Sequence, residues 1–171
     1  MKDAGFTFEV FTKPVDEDYP PHLPADTIAQ YLSEKKNKVY HGDRPDHLIL
    51  TADTTVILDG ELLEKPMDLD EATDMLRRLS GRMHEVVTGV SIGINGSTSS
   101  FHSMTKVHFR ELSSQEIQYY VEEFKPLDKA GAYGIQEWIG QVGITTIEGS
   151  YFNVVGLPID KVYSSLLAYS R

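Results

Sequence analysis

Residues 86–109, Val-Val-Thr-Gly-Val-Ser-Ile-Gly-Ile-Asn-Gly-Ser-Thr-Ser-Ser-Phe-His-Ser-Met-Thr-Lys-Val-His-Phe, decide the fold. Two runs rich in β-branched and aromatic residues, 86–94 and 99–109, flank Asn95-Gly96. Asn-Gly tolerates the positive φ that both central positions of a tight hairpin require, so the pair predicts two antiparallel strands. A second signal of the same kind lies upstream. Residues 47–58 form a largely apolar run, Asp59-Gly60 is a turn dipeptide, and residues 61–63 make a short return strand. Shorter strand patterns occupy 6–11 and 142–147.

Helical signals separate these runs. Ile28, Leu32 and Lys35 share one face of a helix over 25–39. A helix over 68–79 opens on Asp68 with Glu71 at the capping-box position, and Gly81 ends it. Ser113 and Glu116 repeat the box for a helix reaching 124, and Pro158 opens a closing helix to 169. Strands alternate with helices, but two hairpins break strict βαβ order. The class is therefore α/β, a mixed sheet with flanking helices.

The 171 residues suit one domain, and a 40% apolar share is ordinary for a globular chain. No apolar run reaches the roughly 20 residues of a membrane helix, and no leader pattern opens the chain, so a cytoplasmic protein without a membrane partner is expected. A net charge of −10 with no basic patch argues against a nucleic-acid polymer as partner. The absence of cysteine excludes disulfides, thiolate zinc and a cysteine nucleophile.

Asp53 places a carboxylate inside the apolar run Leu48-Ile49-Leu50-Thr51-Ala52-Asp53-Thr54. Buried charge is costly unless paired, so Asp53 is either a paired core acid or a working one. Asp16-Glu17-Asp18 is either a divalent-ion ligand set or an acidic loop. Lys65, before Pro66 and just beyond the hairpin, reads on its own as a surface lysine. Arg82 and His84, two apart in a strand, face one side and suit phosphate or a base edge, or form a polar strand margin. Residues 127–136, Leu-Asp-Lys-Ala-Gly-Ala-Tyr-Gly-Ile-Gln, fit neither a clean helix nor a strand and read equally as a site loop or a tight turn. The common phosphate-loop, dinucleotide and nucleophile-elbow motifs are absent.

These segments together resemble the Maf family of nucleotide pyrophosphatases, also called septum-formation inhibitors. The matching pieces are Val15-Asp16-Glu17, Ser33-Glu34-Lys35, Ala52-Asp53-Thr54, residues 60–66, residues 79–90, residues 126–136, Ile147-Glu148-Gly149-Ser150 and residues 153–158. The resemblance implies the fold of inosine triphosphate pyrophosphatases and hydrolysis of a nucleoside triphosphate to its monophosphate and pyrophosphate with Mg, Mn or Co. It implies Asp53 as the catalytic acid, Glu17 as its metal-binding partner, Lys35 and Lys65 facing phosphate, and Thr54 and Gln136 at the base. Arg82-x-His84 with Tyr133-Gly134-Ile135-Gln136 is similar to the branch acting on dTTP and UTP. Homodimers are common in the family, although no interface is legible in these residues.

Three departures stand out. Family members carry a strand and a Ser-x-Ser-Pro-Arg-Arg phosphate loop ahead of the stretch that matches Met1-Lys2-Asp3-Ala4-Gly5-Phe6. The resemblance thus implies a single domain over residues 1–171, shortened at its start, with a nucleotide-binding regulatory protein as the alternative to an enzyme. Met83 stands for the usual Ser or Thr, and Glu64 for the usual Gly.

Overall fold

Both glycine-containing dipeptides turn where they are expected to. In the computed structural model, which describes residues 1–169, Asp59 and Gly60 adopt φ of 53° and 84°, and Asn95 and Gly96 adopt 50° and 78°. Each pair is a left-handed two-residue turn that matches the twist of its flanking strands. The first joins β1 (Ile49–Leu58) to β2 (Glu61–Leu63); the second joins β3 (Met83–Ile94) to β4 (Ser97–Phe109). With β5 (Ile144–Glu148) they form one sheet in the order β2-β1-β3-β4-β5.

Every pairing in that sheet is antiparallel, where the sequence suggested a mixed one. The reason is the first hairpin. It reverses the chain before the crossover helix α2 (Leu69–Leu79), so β3 returns antiparallel to β1. The α/β class holds, with helices on both faces.

Helix α1 (Ala25–Asp43) covers one face and buries Ile28, Ala29, Leu32, Ser33 and Asn37. It approaches β3 most closely at Gly89, where an added Cβ would fall inside the backbone of Ala29 and Gln30. The opposite face carries two apolar clusters. One joins Val56, Leu58 and Val86 to α2 and to α3 (Ser114–Phe124); the other joins Val90 and Ile92 to α6 (Ile159–Leu167). Both N-caps form, but the reciprocal bond is made only at α3, because at α2 the Glu71 carboxylate accepts from the Met67 N–H at 2.7 Å rather than from Asp68. Asp68 accepts from the Glu71 N–H at 2.8 Å, and Ser113 with Glu116 forms the full reciprocal box.

Three elements differ from expectation. Residues 6–11 form no strand. The stretch runs exposed over the surface, pinned at its two ends: Phe6 sits edge-on to Tyr163 of α6, and Phe11 sits edge-on to Tyr40 of α1 and under the Arg44 guanidinium. Residues 142–147 begin as helix α4 (Trp138–Gly143), which buries Ile139, and the strand starts only at Ile144. A short helix α5 (Tyr151–Val155), capped by the Ser150 hydroxyl, lay unread before α6.

His84 is a core residue. It is fully buried between the rings of Phe109 and Tyr133, and its Nε2 lies 2.7 Å from the Tyr133 hydroxyl. Burial, with a smaller push from His108, lowers its pKa to about 4.

Two predictions follow from this packing. Gly89→Ala lowers stability by about 3 kcal/mol, because backbone rather than a flexible side-chain end must give way; urea unfolding reads it, and a neutral result removes the close approach. His84 makes stability fall on acidification. Between the unfolded value of 6.5 and about 4, the unfolded chain binds a proton that the folded one refuses. The slope approaches about 1.4 kcal/mol per pH unit in that window, and His84→Phe flattens it; equal slopes in both proteins would overturn the assignment.

Candidate active site

Alternation along β1 sends Asp53 and Thr54 to opposite faces of the sheet. Asp53 meets α1. Its carboxylate pairs with the Lys36 ammonium, which also holds Glu17 Oε1 at 2.8 Å. Lys65, just past β2, reaches Glu17 Oε2 at 3.3 Å. Four charges from four chain segments thus converge: two carboxylates and two ammonium groups. Glu17 comes from an extended stretch that is tied down at the two residues after it. The Asp18 carbonyl accepts from Lys35 Nζ at 3.0 Å, and the Tyr19 hydroxyl donates to Glu64 at 2.8 Å.

Burial pushes the Asp53 carboxyl above the usual carboxylate range, and the Lys36 contact offsets this only in part. The bond from Lys36 holds Glu17 below its ordinary value, against a smaller opposing effect of burial. Burial works against the Lys36 ammonium, but its bonds to Asp53 and Glu17 outweigh that and raise its pKa. The two carboxylates are thus shifted in opposite directions, Asp53 up and Glu17 down, around one ammonium whose own pKa is raised.

Thr54 meets a different set. Its hydroxyl lies 2.8 Å from that of Thr88, its cross-strand partner on β3. Beside it the 127–136 loop forms a cleft of about 260 Å³ lined by Thr54, Val86, Lys129, Tyr133, Gln136 and Gly156, among others. Gly131, at φ 68°, lets the loop press against Val56, and its N–H donates to the Glu64 carbonyl at 3.2 Å. Tyr120 on α3 braces the loop from beneath, accepting from the Gly134 N–H at 3.0 Å and donating to Glu137. Lys129 bridges Asp128 at 2.8 Å and Glu137 at 3.2 Å.

A second cleft, of about 700 Å³, lies on the α1 side between Glu17, Tyr19, Leu32, Asp53 and Lys65. The two clefts share Asp53, Thr54, Lys65 and Ala130 as walls. They meet there because β2 pairs only with residues 56–58 of β1, leaving that edge open at Asp53 and Thr54. Charged side chains line both, Asp16, Glu17, Asp18 and Glu64 on the α1 side and Asp128 and Lys129 on the other, and the two adjoin at the strand edge.

A family model described as Maf-like protein matches residues 1–169. The chain belongs to the Maf family. It is 48% identical over 166 residues to a dTTP/UTP pyrophosphatase of Cytophaga hutchinsonii, covering 97% of this chain and 76% of that protein. It is 49% identical over 168 residues to the dTTP/UTP pyrophosphatase of Phocaeicola vulgatus, covering 97% and 87%. A third relative of that name, from Flavobacterium psychrophilum, is 45% identical over 171 residues, covering 99% and 88%.

Within this Maf chain, Glu17, Asp53, Thr54, Lys65 and Gln136 line the joined clefts, and three expected residues do not. Lys35 turns to Asp18 and, at 3.9 Å, to Asp16; the neighbouring Lys36 takes the place by Asp53. One residue along a helix is a rotation of about 100°. The signal was present, since Ile28, Leu32 and Lys36 recur at the strict spacing of four. Arg82 precedes β3 and pairs with Asp59 at the hairpin, away from both clefts. His84 sits behind Tyr133, in the core. Lys36→Met leaves a half-buried carboxylate unpaired and costs about 2 kcal/mol, whereas Lys35→Met, which breaks only surface contacts, stays within about 0.5 kcal/mol. Chemical denaturation of the two variants checks this, and equal losses would mean that Lys36 does not carry the pair.

Proposed function

We propose that this chain is a dTTP/UTP pyrophosphatase, hydrolysing the triphosphate to its monophosphate and pyrophosphate. One observation carries the reading beyond the relatives' names: the α1-side cleft and a base-sized cleft adjoin at Asp53 and Thr54, on opposite faces of one strand. Triphosphate and base then lie to either side of the strand edge. The same reading takes residues 1–171 as one domain.

A divalent cation fits the α1 side. Glu17 and Asp53 already converge on one cationic point, the Lys36 ammonium. No group of three or more ligating side chains occurs among the described residues. Mg²⁺ is typically held by one or two carboxylates and completes its shell with water and phosphate oxygens. Glu17 and Asp53 would hold the ion, which when bound supplies positive charge to phosphate oxygens. Lys36 and Lys65 add point charges beside them. Asp53, with its pKa raised by burial, is suited to accept a proton from the attacking water as the bond between the α-phosphorus and the bridging oxygen breaks. Gln136 offers a donor and an acceptor to the base.

The test is pyrophosphate release by the purified chain from dTTP, UTP, CTP and purine triphosphates with Mg²⁺ or Mn²⁺. Release from dTTP and UTP is expected. Asp53→Asn lowers kcat by about 10²–10⁴ with the melting temperature within a few degrees. Release of orthophosphate alone, no release, or an Asp53→Asn variant as fast as the parent would overturn the proposal.

A further inference from the structure

We propose that Thr88, a buried residue lining neither cleft, sets base preference by holding the Thr54 hydroxyl as a hydrogen-bond acceptor. The proposal rests on the pyrophosphatase reading above and names the device by which that site tells uracil and thymine from cytosine. A hydroxyl has one proton. Thr88 Oγ1 lies 2.8 Å from the Asn153 backbone carbonyl and 2.8 Å from Thr54 Oγ1. A carbonyl only accepts, so the Thr88 proton goes to Asn153. The contact between the two hydroxyls then needs the Thr54 proton. Only this assignment satisfies both short distances.

Thr54 is thereby left with lone pairs and no proton to offer. It is half-buried and lines both clefts, whereas Thr88 is fully buried. Asn153 is itself fixed. Its side-chain amide donates to the Val86 carbonyl and to Thr105 Oγ1, each at 3.0 Å, and its backbone carbonyl also takes the Gly156 N–H at 3.0 Å. The chain of polarity therefore starts at backbone and cannot reverse without breaking a buried bond.

Gln136 does not supply that polarity. Its side chain is exposed and makes no hydrogen bond among the described residues, so the amide is free to turn either end to the base. A turning amide accommodates uracil and cytosine alike. The two bases differ at N3, which is an N–H in uracil and thymine and a lone pair in cytosine. An acceptor held at Thr54 pairs with the first and faces the second with an unpaired lone pair, the kind of mismatch by which polar sites discriminate most strongly.

The experiment compares kcat/KM for UTP and CTP in the parent, Thr88→Val, Thr88→Ser and Thr54→Ala, with melting curves. Thr88→Val keeps the shape and frees the Thr54 hydroxyl to donate. The UTP/CTP ratio should fall about tenfold or more, mainly by a gain with CTP. Thr88→Ser keeps both bonds and should retain the parent ratio. The parent should also reject N3-methyluridine triphosphate. If Thr88→Val does not fold, Thr54→Ala decides: a lowered ratio supports the acceptor assignment, and an unchanged one overturns it. A folded Thr88→Val with the parent's ratio overturns the proposal while leaving the pyrophosphatase reading intact. A parent inactive on UTP would instead strike at that reading.

Discussion

The absence of a side chain at Gly89 is the constraint on which the rest of the site depends. The backbone of α1 at Ala29 and Gln30 occupies the volume where a Cβ would be. Gly89 is the ladder partner of Asp53, so the helix is seated directly over the acid. A second anchor lies two turns on. Asn37 donates to the carbonyls of Ile49 and Ser91, both at 3.1 Å, and Thr51 donates to the Ser33 carbonyl at 2.7 Å. Held at both points, α1 has no freedom to roll, and Lys36 is aimed at Asp53 rather than at solvent. The ion pair is a consequence of packing as much as of charge.

The period of a β-strand then divides the labour. Asp53 and Thr54 are neighbours in sequence, but one points to α1 and the other to α5. The shortness of β2 leaves the edge beside them unladdered, where the two clefts adjoin. A longer β2 would satisfy more backbone groups and cover that edge.

Local signals were legible in the sequence, and relations between distant segments were less so. Asp59-Gly60, Asn95-Gly96 and the Ser113–Glu116 box each depend on a few adjacent residues, and each formed. Asp53 was legible because a carboxylate in an apolar strand needs a partner wherever the chain folds. The partner itself was not, because choosing Lys36 over Lys35 requires the roll of α1, which Gly89 and Asn37 set from outside the helix. His84 was misplaced for a similar reason. A histidine in a polar-looking strand margin becomes a core residue once the Tyr133 hydroxyl, 49 positions away, arrives to meet it. Residues 6–11 carry a strand's composition, but only the two terminal rings find partners, Phe6 at Tyr163 and Phe11 at Tyr40, and no neighbouring strand offers a ladder.

The Thr54–Thr88–Asn153 chain has a structural consequence as well. It runs as a polar seam between the two apolar clusters on one face of the sheet, one around Val56 and Val86 and the other around Val90 and Ile92. Buried hydroxyls are tolerated only where they are paired. Here they pair only if Thr54 lies opposite Thr88. A slip of one residue would turn Thr88 toward α1 and Gly89 toward the clusters, removing at once the gap that admits the helix and the partner that orients Thr54. The seam and the glycine therefore enforce the same register from opposite faces. That register places Asp53 against Lys36 of α1 and the Thr54 hydroxyl against Thr88 on the other face, so the strand cannot lose one without losing the other.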